Sequence, residues 1–377
     1  MSKNNINTIL LLSNYPTFEN PGYYIFIKHR TDALKEHYNV VVVSSELTSN
    51  KSTLEFREEN GVVHVIIRIN NNIPKLRSLA LDYYTKRVMK EIISYYKPSL
   101  LEVHFSSYRS WIAMKLAMMH NLPYIVFEHA SFFERKIKQP YFGSKIKKAV
   151  KNADKVIAVS QPLKNTMQKY VKRDIEVVPN IISTNKFQLT QYNSKNHIPQ
   201  IVTVGTLSLD DNKGYFDLIY NLYVLKTKGY CFHCQIIGEG QNKEHLFEQR
   251  NQLGLEHQID FVGSMPNDEL VQLYNESDFF VSTSKIETFG VAIVEAMSCG
   301  LPIVATYSGG PETFIDRNIG VLAKHSSRDI ADKLEYMLNN YTQYDPYQIR
   351  QKVIDNFSEN IYLERMQRIY GELLAHT

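Results

Sequence analysis

Glu287 and Glu295, with seven residues between them in the stretch IETFGVAIVEAMSCGLPIVA (286–305), are the two carboxylates of this chain whose setting suits ligand chemistry. Two carboxylates so spaced can accept hydrogen bonds from several hydroxyls of one molecule, provided that the chain between them turns both toward it. Upstream, DFFVSTS (278–284) is a short apolar run closing on small polar residues, the pattern of a buried strand and the loop at its carboxyl end. Downstream, Val291, Ala292, Ile293, Val294, Ala296 and Met297 are apolar on nearly every face, which predicts a buried helix. Gly300-Leu301-Pro302 stops that helix, and residues 303–305 begin another strand. Glu287 then stands in a loop at a strand's carboxyl end, the edge at which open parallel sheets bind ligands.

Around Thr288, the N–H groups of Phe289, Gly290 and Val291 belong to the first helical turn. Unpaired donors and the positive dipole end favour a phosphate there. Gly290 permits close approach. Glu295 lies further in, on an otherwise apolar helix, where an unpaired carboxylate costs about 2–7 kcal/mol and needs donors. Two vicinal sugar hydroxyls would supply them, so the stretch reads as a nucleotide-sugar site. Spacing alone also accommodates two solvated acids that merely favour the helix start.

Other loops point the same way. Val204-Gly205-Thr206-Leu207 leads to Asn212-Lys213-Gly214, which places Lys213 at a helix start as a point charge for a pyrophosphate, or as an ordinary surface-turn lysine. Gly238 opens a tight turn in IIGEG, but Lys243 occupies the third glycine position of the dinucleotide fingerprint, which therefore fails. Gly263, Ser264 and Met265 end a further strand and could hold a base. Ser308-Gly309-Gly310 offers N–H donors, or is only a loop. Five strand ends of one sheet carrying such loops suit a nucleotide diphosphate.

The elements that position these residues follow from the alternation of apolar runs with helical spacing. Strand-like runs at 6–13, 39–44, 62–69, 100–104, 124–127, 155–159 and 175–178 alternate with helical segments such as 22–36 and 79–95. A polar segment at 179–199 is the linker candidate. The pattern then restarts at 201–205, 231–238, 259–262, 278–282, 301–305 and 320–322, with helices at 215–227, 267–276 and 330–338 and a last one at 359–374. Two α/β domains with doubly wound parallel sheets are indicated.

At 377 residues the chain has room for both cores. The apolar run 6–12 is too short for a secretory or membrane-spanning segment, which gives a cytoplasmic location as the expectation. Three cysteines exclude a disulfide scaffold; Cys231-Phe232-His233-Cys234 lies in an apolar run and reads as core strand rather than as a metal or redox site. Residues 1–180 carry 27 Lys and Arg against 15 Asp and Glu, a surplus of +12, whereas the remainder carries 16 against 24, or −8. The surplus concentrates at 135–155, where Lys145, Lys147, Lys148 and Lys151 alternate with Tyr141, Phe142, Ile146, Ala149 and Val150. Such a segment suits an anionic membrane surface or a solvated helix face, and much less a nucleic acid.

GTLSLDDNKG, IIGEG, FVGSM, the 286–305 stretch and SGGPETFI occur in the order and at roughly the spacing of the retaining glycosyltransferases of family 4, which the chain resembles most strongly over about 200–323. VHFSSYRSWIAMKLAMMHNLPYIVFEH, ADKVIAVS and VVPNII resemble that family's first domain. The resemblance implies a GT-B fold: two Rossmann-like domains facing a cleft, with domains at 1–183 and 184–357 and a helix at 358–377 returning to the first. It implies acceptor binding by the first domain and nucleotide-sugar binding by the second. Glu287 would contact donor sugar hydroxyls, Glu295 the ribose, Lys213 and the 289–291 amides the diphosphate, Gly22 would pass close to the phosphate, and His129 would lie near the sugar. Read without the resemblance, His129 is equally a core histidine. Thr206 stands where many members have arginine, and Asn20-Pro21-Gly22-Tyr23 replaces a paired glycine. No Asp-x-Asp motif is present, so metal independence is expected, with a UDP-sugar as donor and no other cofactor.

The expectation is a hexosyltransferase that serves bacterial surface polysaccharide or glycoconjugate synthesis. Its acceptor would be a glycan, lipid-linked, and the enzyme would sit peripherally on the inner face of the membrane. A sugar-nucleotide epimerase of the same fold and a non-catalytic nucleotide-sugar binder are the alternatives.

Overall fold

The structure is a computed structural model that describes residues 7–14, 24–48, 50–70, 77–190 and 198–375. The chain divides into two compact units, Met1–Ile181 with Glu359–Thr377, and Ile182–Ser358.

In the first unit, strands β1 (Thr8–Leu12), β2 (Asn39–Thr48), β3 (Thr53–Glu59), β4 (Val62–Asn70), β5 (Leu100–His104), β6 (Tyr124–Glu128), β7 (Lys155–Ala158) and β8 (Glu176–Val177) form one sheet in the order β3-β4-β2-β1-β5-β6-β7-β8. Every pairing is parallel except β3 with β4. Strands such as TILLL and YIVFE are apolar along nearly their whole length because helices cover both faces of a parallel sheet. The helices are α1 (Ile25–Leu34), α2 (Arg77–Tyr96), α3 (Tyr108–His120), α4 (Phe133–Ile137), α5 (Phe142–Asn152) and α6 (Gln161–Gln168).

The edge strand β3 was not expected. Its residues are mostly exposed, so it lacks a burial pattern, although Asn60-Gly61, with φ of 51° and 78°, is a hairpin signal that the sequence carries.

The second unit holds β9 (Gln200–Val204), β10 (His233–Ile237), β11 (Ile259–Gly263), β12 (Phe279–Ser282), β13 (Ile303–Thr306) and β14 (Gly320–Ala323), all parallel, in the order β11-β10-β9-β12-β13-β14. Around them lie α7 (Tyr215–Thr227), α8 (Lys243–Gln252), α9 (Asn267–Glu276), α10 (Val291–Ser298), α11 (Ser327–Asn340) and α12 (Pro346–Phe357). Counting from β9, this is the 3-2-1-4-5-6 order of dinucleotide-binding sheets, and the winding reverses between β9 and β12. Cys234 is buried in the core of this unit and Cys231 is exposed; both thiols are free.

The boundary between the two units falls inside the segment 179–199 expected to be a linker, whose described residues form no helix or strand yet pack in places. Ile182 and Phe187 are buried. The Arg350 guanidinium donates to the carbonyls of Thr184 (2.9 Å), Phe187 (2.6 Å) and Ser298 (2.5 Å), which holds the segment against the end of α10. The last helix, α13 (Glu359–Leu374), joins the first unit, where Tyr362, Met366, Ile369 and Tyr370 pack with Ile9, Val42, Leu100 and Phe127.

Candidate active site

The reversal between β9 and β12 leaves the loops after those two strands side by side, and their backbone chemistry locks them together. Gly214 adopts φ 69°, and a Cβ there would lie 2.2 Å from the Thr283 carbonyl oxygen, so only glycine lets the loops approach this closely. Thr283 Oγ1 donates to the carbonyls of Lys213 (3.1 Å) and Gly214 (2.8 Å), and Lys285 N donates to Asn212 O (2.8 Å). Asp211 accepts from Tyr215 N at the start of α7 (2.9 Å) and pairs with Lys285 Nζ (3.0 Å). These contacts bring Lys213 Nζ to 2.6 Å from Glu287 Oε2, although 74 positions separate them. Lys213's stem also runs beside Gly205, where a Cβ would meet its Cε at 3.1 Å.

Past Glu287 the chain turns through Thr288 and Gly290 (φ 97°) into α10. The N–H groups of Phe289, Gly290 and Val291 have no hydrogen-bond acceptor among the described residues. The Phe289 ring is buried against Phe314 and Phe357, so that residue offers its backbone only.

Glu295 is 5% exposed, and no hydrogen-bond donor among the described residues reaches its carboxylate. Burial pushes its carboxyl up to about 8, against a smaller opposing influence from Lys186. An acid so placed, one turn into the helix, has unmet acceptor capacity close to the open N–H donors of its start.

The Ser308-Gly309-Gly310 turn departs from expectation. Its amides are not open: Ser308 N and Gly309 N donate to the Glu312 carboxylate (3.3 and 2.8 Å), and Gly310 N to Glu287 O (2.6 Å). The acid two residues beyond the second glycine was the available signal. The turn instead fixes the backbone of Glu287, whose own N donates to Ser308 O (2.8 Å).

Thr206 is exposed after β9, Gly238 (φ 143°) follows β10 against the Gly205 carbonyl, Gly263 ends β11, and Ser264 and Met265 follow it, all at the carboxyl edge of the sheet. Gly22 lies outside the described residues.

His129 belongs to the first unit, just after β6. It stacks on Phe26 (4.6 Å between centroids) and its Nε2 lies 2.9 Å from His104 Nδ1. Burial, then the neighbouring His104 and Arg30, hold its imidazole well below the ordinary range and therefore neutral. Beside it Glu128 accepts from Ser106 N, His129 N and Ala130 N, each at 2.8 Å, and joins the loops after β5 and β6. Glu102, His104 and Glu128 escaped the sequence reading, although charged residues inside LLEVH and YIVFE were a visible signal.

Lys145, Lys147, Lys148 and Lys151 lie on α5. Ile146, Ala149 and Val150, read as apolar groups alternating with the lysines, are buried instead, and the helix packs on α3. Tyr141 remains 67% exposed, with Lys145 Nζ 3.8 Å over its ring. Among the described residues no helix is long and apolar enough to cross a membrane.

Residues 185–357 match the family described as Glycosyl transferases group 1, and residues 26–186 the one described as Glycosyltransferase Family 4. An uncharacterized glycosyltransferase of Methanocaldococcus jannaschii is 26% identical over 310 residues, 80% of this chain and 83% of its own. The capsular polysaccharide biosynthesis glycosyltransferase CapM of Staphylococcus aureus is 23% identical over 378 residues, 90% of this chain and 98% of its own. Among solved structures, sucrose-phosphate synthase of Thermosynechococcus elongatus is similar with a TM-score of 0.82 at 18% identity, over 98% of this chain and 100% of that one. Anabaena HepE in complex with UDP and glucose gives 0.73 at 18% identity, over 97% and 100%. These likenesses identify the fold as that of the GT-B proteins.

Proposed function

The chain belongs to the group 1, family 4 glycosyltransferases, and from that membership we propose that it moves a hexose from a nucleotide-sugar donor, a UDP-sugar, to a glycan acceptor with retention at the anomeric carbon. The observation that carries the donor assignment is Glu295, a buried carboxylate without a donor among the described residues, one turn into the helix whose start bears three amides that have no acceptor among those residues and which follows the Lys213–Glu287 pair in the fold. Two ribose hydroxyls satisfy Glu295. The diphosphate takes the amides of Phe289, Gly290 and Val291 and competes with Glu287 for Lys213. Glu287 turns to hydroxyls of the sugar, and His129 stands near that sugar by family likeness.

In the transfer, the bond from the anomeric carbon to the diphosphate oxygen breaks. The acceptor oxygen bonds to the same face, and its proton passes to the departing phosphate. Negative charge grows on the leaving group, so fixed donors and a cation there lower the barrier electrostatically. This chemistry requires no divalent metal.

Thermal-shift screening against UDP-, GDP- and ADP-sugars, followed by product analysis in EDTA with a glycan acceptor, tests the reading. The expected result is stabilisation by a UDP-sugar and an acceptor-dependent product of retained configuration. Turnover of the sugar nucleotide without acceptor indicates an epimerase, and binding without turnover indicates a binder.

The basic surface of α5 supports the further reading of a lipid-linked acceptor in surface glycan synthesis and a peripheral position on the cytoplasmic membrane face. Because the apolar face of that helix is spent on α3, contact with lipid is electrostatic, with Tyr141 as the exposed ring. Four lysines at about 1 kcal/mol each predict binding to vesicles containing anionic lipid that is lost at 0.5 M salt, roughly three times physiological ionic strength. Replacing Lys145, Lys147, Lys148 and Lys151 by glutamine should abolish it. Unchanged sedimentation with such vesicles overturns the membrane assignment.

A further inference from the structure

We propose that His104 is a positioning residue for His129, and that the chain Glu102–His104–His129 fixes which ring nitrogen of His129 carries the proton. The consequence for turnover rests on the reading that His129 lies at the donor sugar; the proton assignment does not.

Strand periodicity brings the three groups together. Glu102 and His104 are two residues apart on β5 and so project to one side of the sheet. His104 pairs in register with Phe127 on β6, and His129, two residues beyond Phe127, returns to the same side. Arg30 Nη2 lies 2.6 Å from both Glu102 oxygens, and Tyr370 from α13 donates to Oε1 at 2.6 Å. Although burial favours the neutral acid, Arg30, His104 and Tyr370 hold the Glu102 carboxyl down at about 2. It is therefore an ionised acceptor.

The protons follow from that anchor. His104 Nε2 is buried without a hydrogen-bond partner among the described residues, and it faces Glu102 Oε2 at 3.5 Å. A lone pair there would face an anion, so Nε2 bears the proton. Burial keeps His104 at about 4 and hence neutral, which leaves its Nδ1 as a lone pair. The 2.9 Å contact with His129 Nε2 then requires His129 to donate from Nε2. His129 Nδ1 is left as an acceptor; the atom placed 3.1 Å from it is Asn180 Oδ1, and since two acceptors do not bond, this assignment requires the Asn180 amide turned over so that its nitrogen donates. The alternative, with the proton on His129 Nδ1, reverses both histidines and turns a lone pair of His104 toward Glu102. Phe26 on one face and Phe105 at 5.3 Å hold the ring plane. The carboxylate thus sets the tautomer of a ring that it does not touch.

Nitrogen-15 NMR of the full chain labelled in histidine, with His129 assigned by the signal lost in His129→Gln, reads the tautomer directly. The expected result is one Nε2–H tautomer for His129 at pH 7, lost or mixed in His104→Leu. His104→Asn, whose side-chain carbonyl reaches the place of Nδ1, restores it. In steady state, His104→Leu should lower kcat by roughly tenfold with donor KM within about twofold, and His104→Asn should recover most of the loss. A wild-type His129 protonated at Nδ1 overturns the proposal, as does a leucine variant that keeps both tautomer and kcat. Should that variant not fold, the wild-type tautomer and the asparagine variant carry the test. A tautomer that obeys His104 while His129→Gln retains full kcat leaves the proton chain standing and removes His129 from the sugar.

Discussion

Replacing Lys213 by methionine is expected to lower kcat by about two to three orders of magnitude, with the donor KM changed by only a few-fold. The argument is one of charge. The leaving diphosphate becomes more negative as the anomeric bond breaks, so a cation held beside it acts more strongly on the transition state than on the bound donor. Thr206 supplies no charge at the neighbouring strand end, and Lys285 is engaged by Asp211, which concentrates the burden on Lys213. Methionine keeps the stem that lies beside Gly205 and removes only the ammonium. Steady-state rates with saturating acceptor provide the measurement. A kcat within threefold of wild type would exclude Lys213 from leaving-group stabilisation.

Glu295 carries the second large effect, and it has two opposite signs. Loss of two hydrogen bonds to an ionised carboxylate costs about 3 kcal/mol, so Glu295→Ala should weaken nucleotide binding by roughly a hundredfold. The ionised form is the better acceptor of hydroxyls, and burial holds the carboxyl at about 8. Nucleotide affinity of the wild type therefore rises from pH 6 to above pH 8 and then levels, while Glu295→Gln gives a weak and flat profile. Isothermal titration across that range checks both.

Stability moves the other way. The folded protein retains a proton at Glu295 that the unfolded chain, near 4.5, releases, so this group lowers stability progressively as pH rises from about 4.5 to about 8. Glu295→Gln removes that penalty and should raise Tm at pH 8.5 by a few degrees, at about 2–4 °C per kcal/mol. A variant that binds worse and melts higher is the signature of an acid kept for its ligand at the expense of the fold. Equal nucleotide affinity in wild type and Glu295→Ala would sink the ribose assignment.

Much of the fold was legible because its strands are parallel and covered on both faces. Runs such as TILLL, LLEVH and FFVS need no partner to be recognised as core. What escaped notice lacks that pattern. Strand β3 is an edge element whose residues face water, and the reading of α5 as a membrane-facing or solvated segment did not show that its Ile146, Ala149 and Val150 are buried in a helix packed on α3. The polar segment 179–199 was legible as a linker and the unit boundary falls inside it, but nothing in its composition showed that Arg350 collects the carbonyls of Thr184 and Phe187. Hydrogen bonds between backbone and distant side chains leave no periodicity to read.

The sequence by itself determined the alternation of strands and helices, the doubling of the sheet domain, and the residues of the donor loops in chain order. Glu287 and Glu295 were visible there because carboxylates stand out against an apolar helix. Tertiary structure decided what each group faces. It set Glu287 on Lys213 from 74 positions away, closed the Ser308–Gly310 turn with Glu312, left Glu295 without a donor among the described residues, and placed Glu102 behind two histidines. The physical reason is that charge and hydrogen-bond partnership depend on distances of about 3 Å across the sheet, whereas the sequence records only separation along the chain.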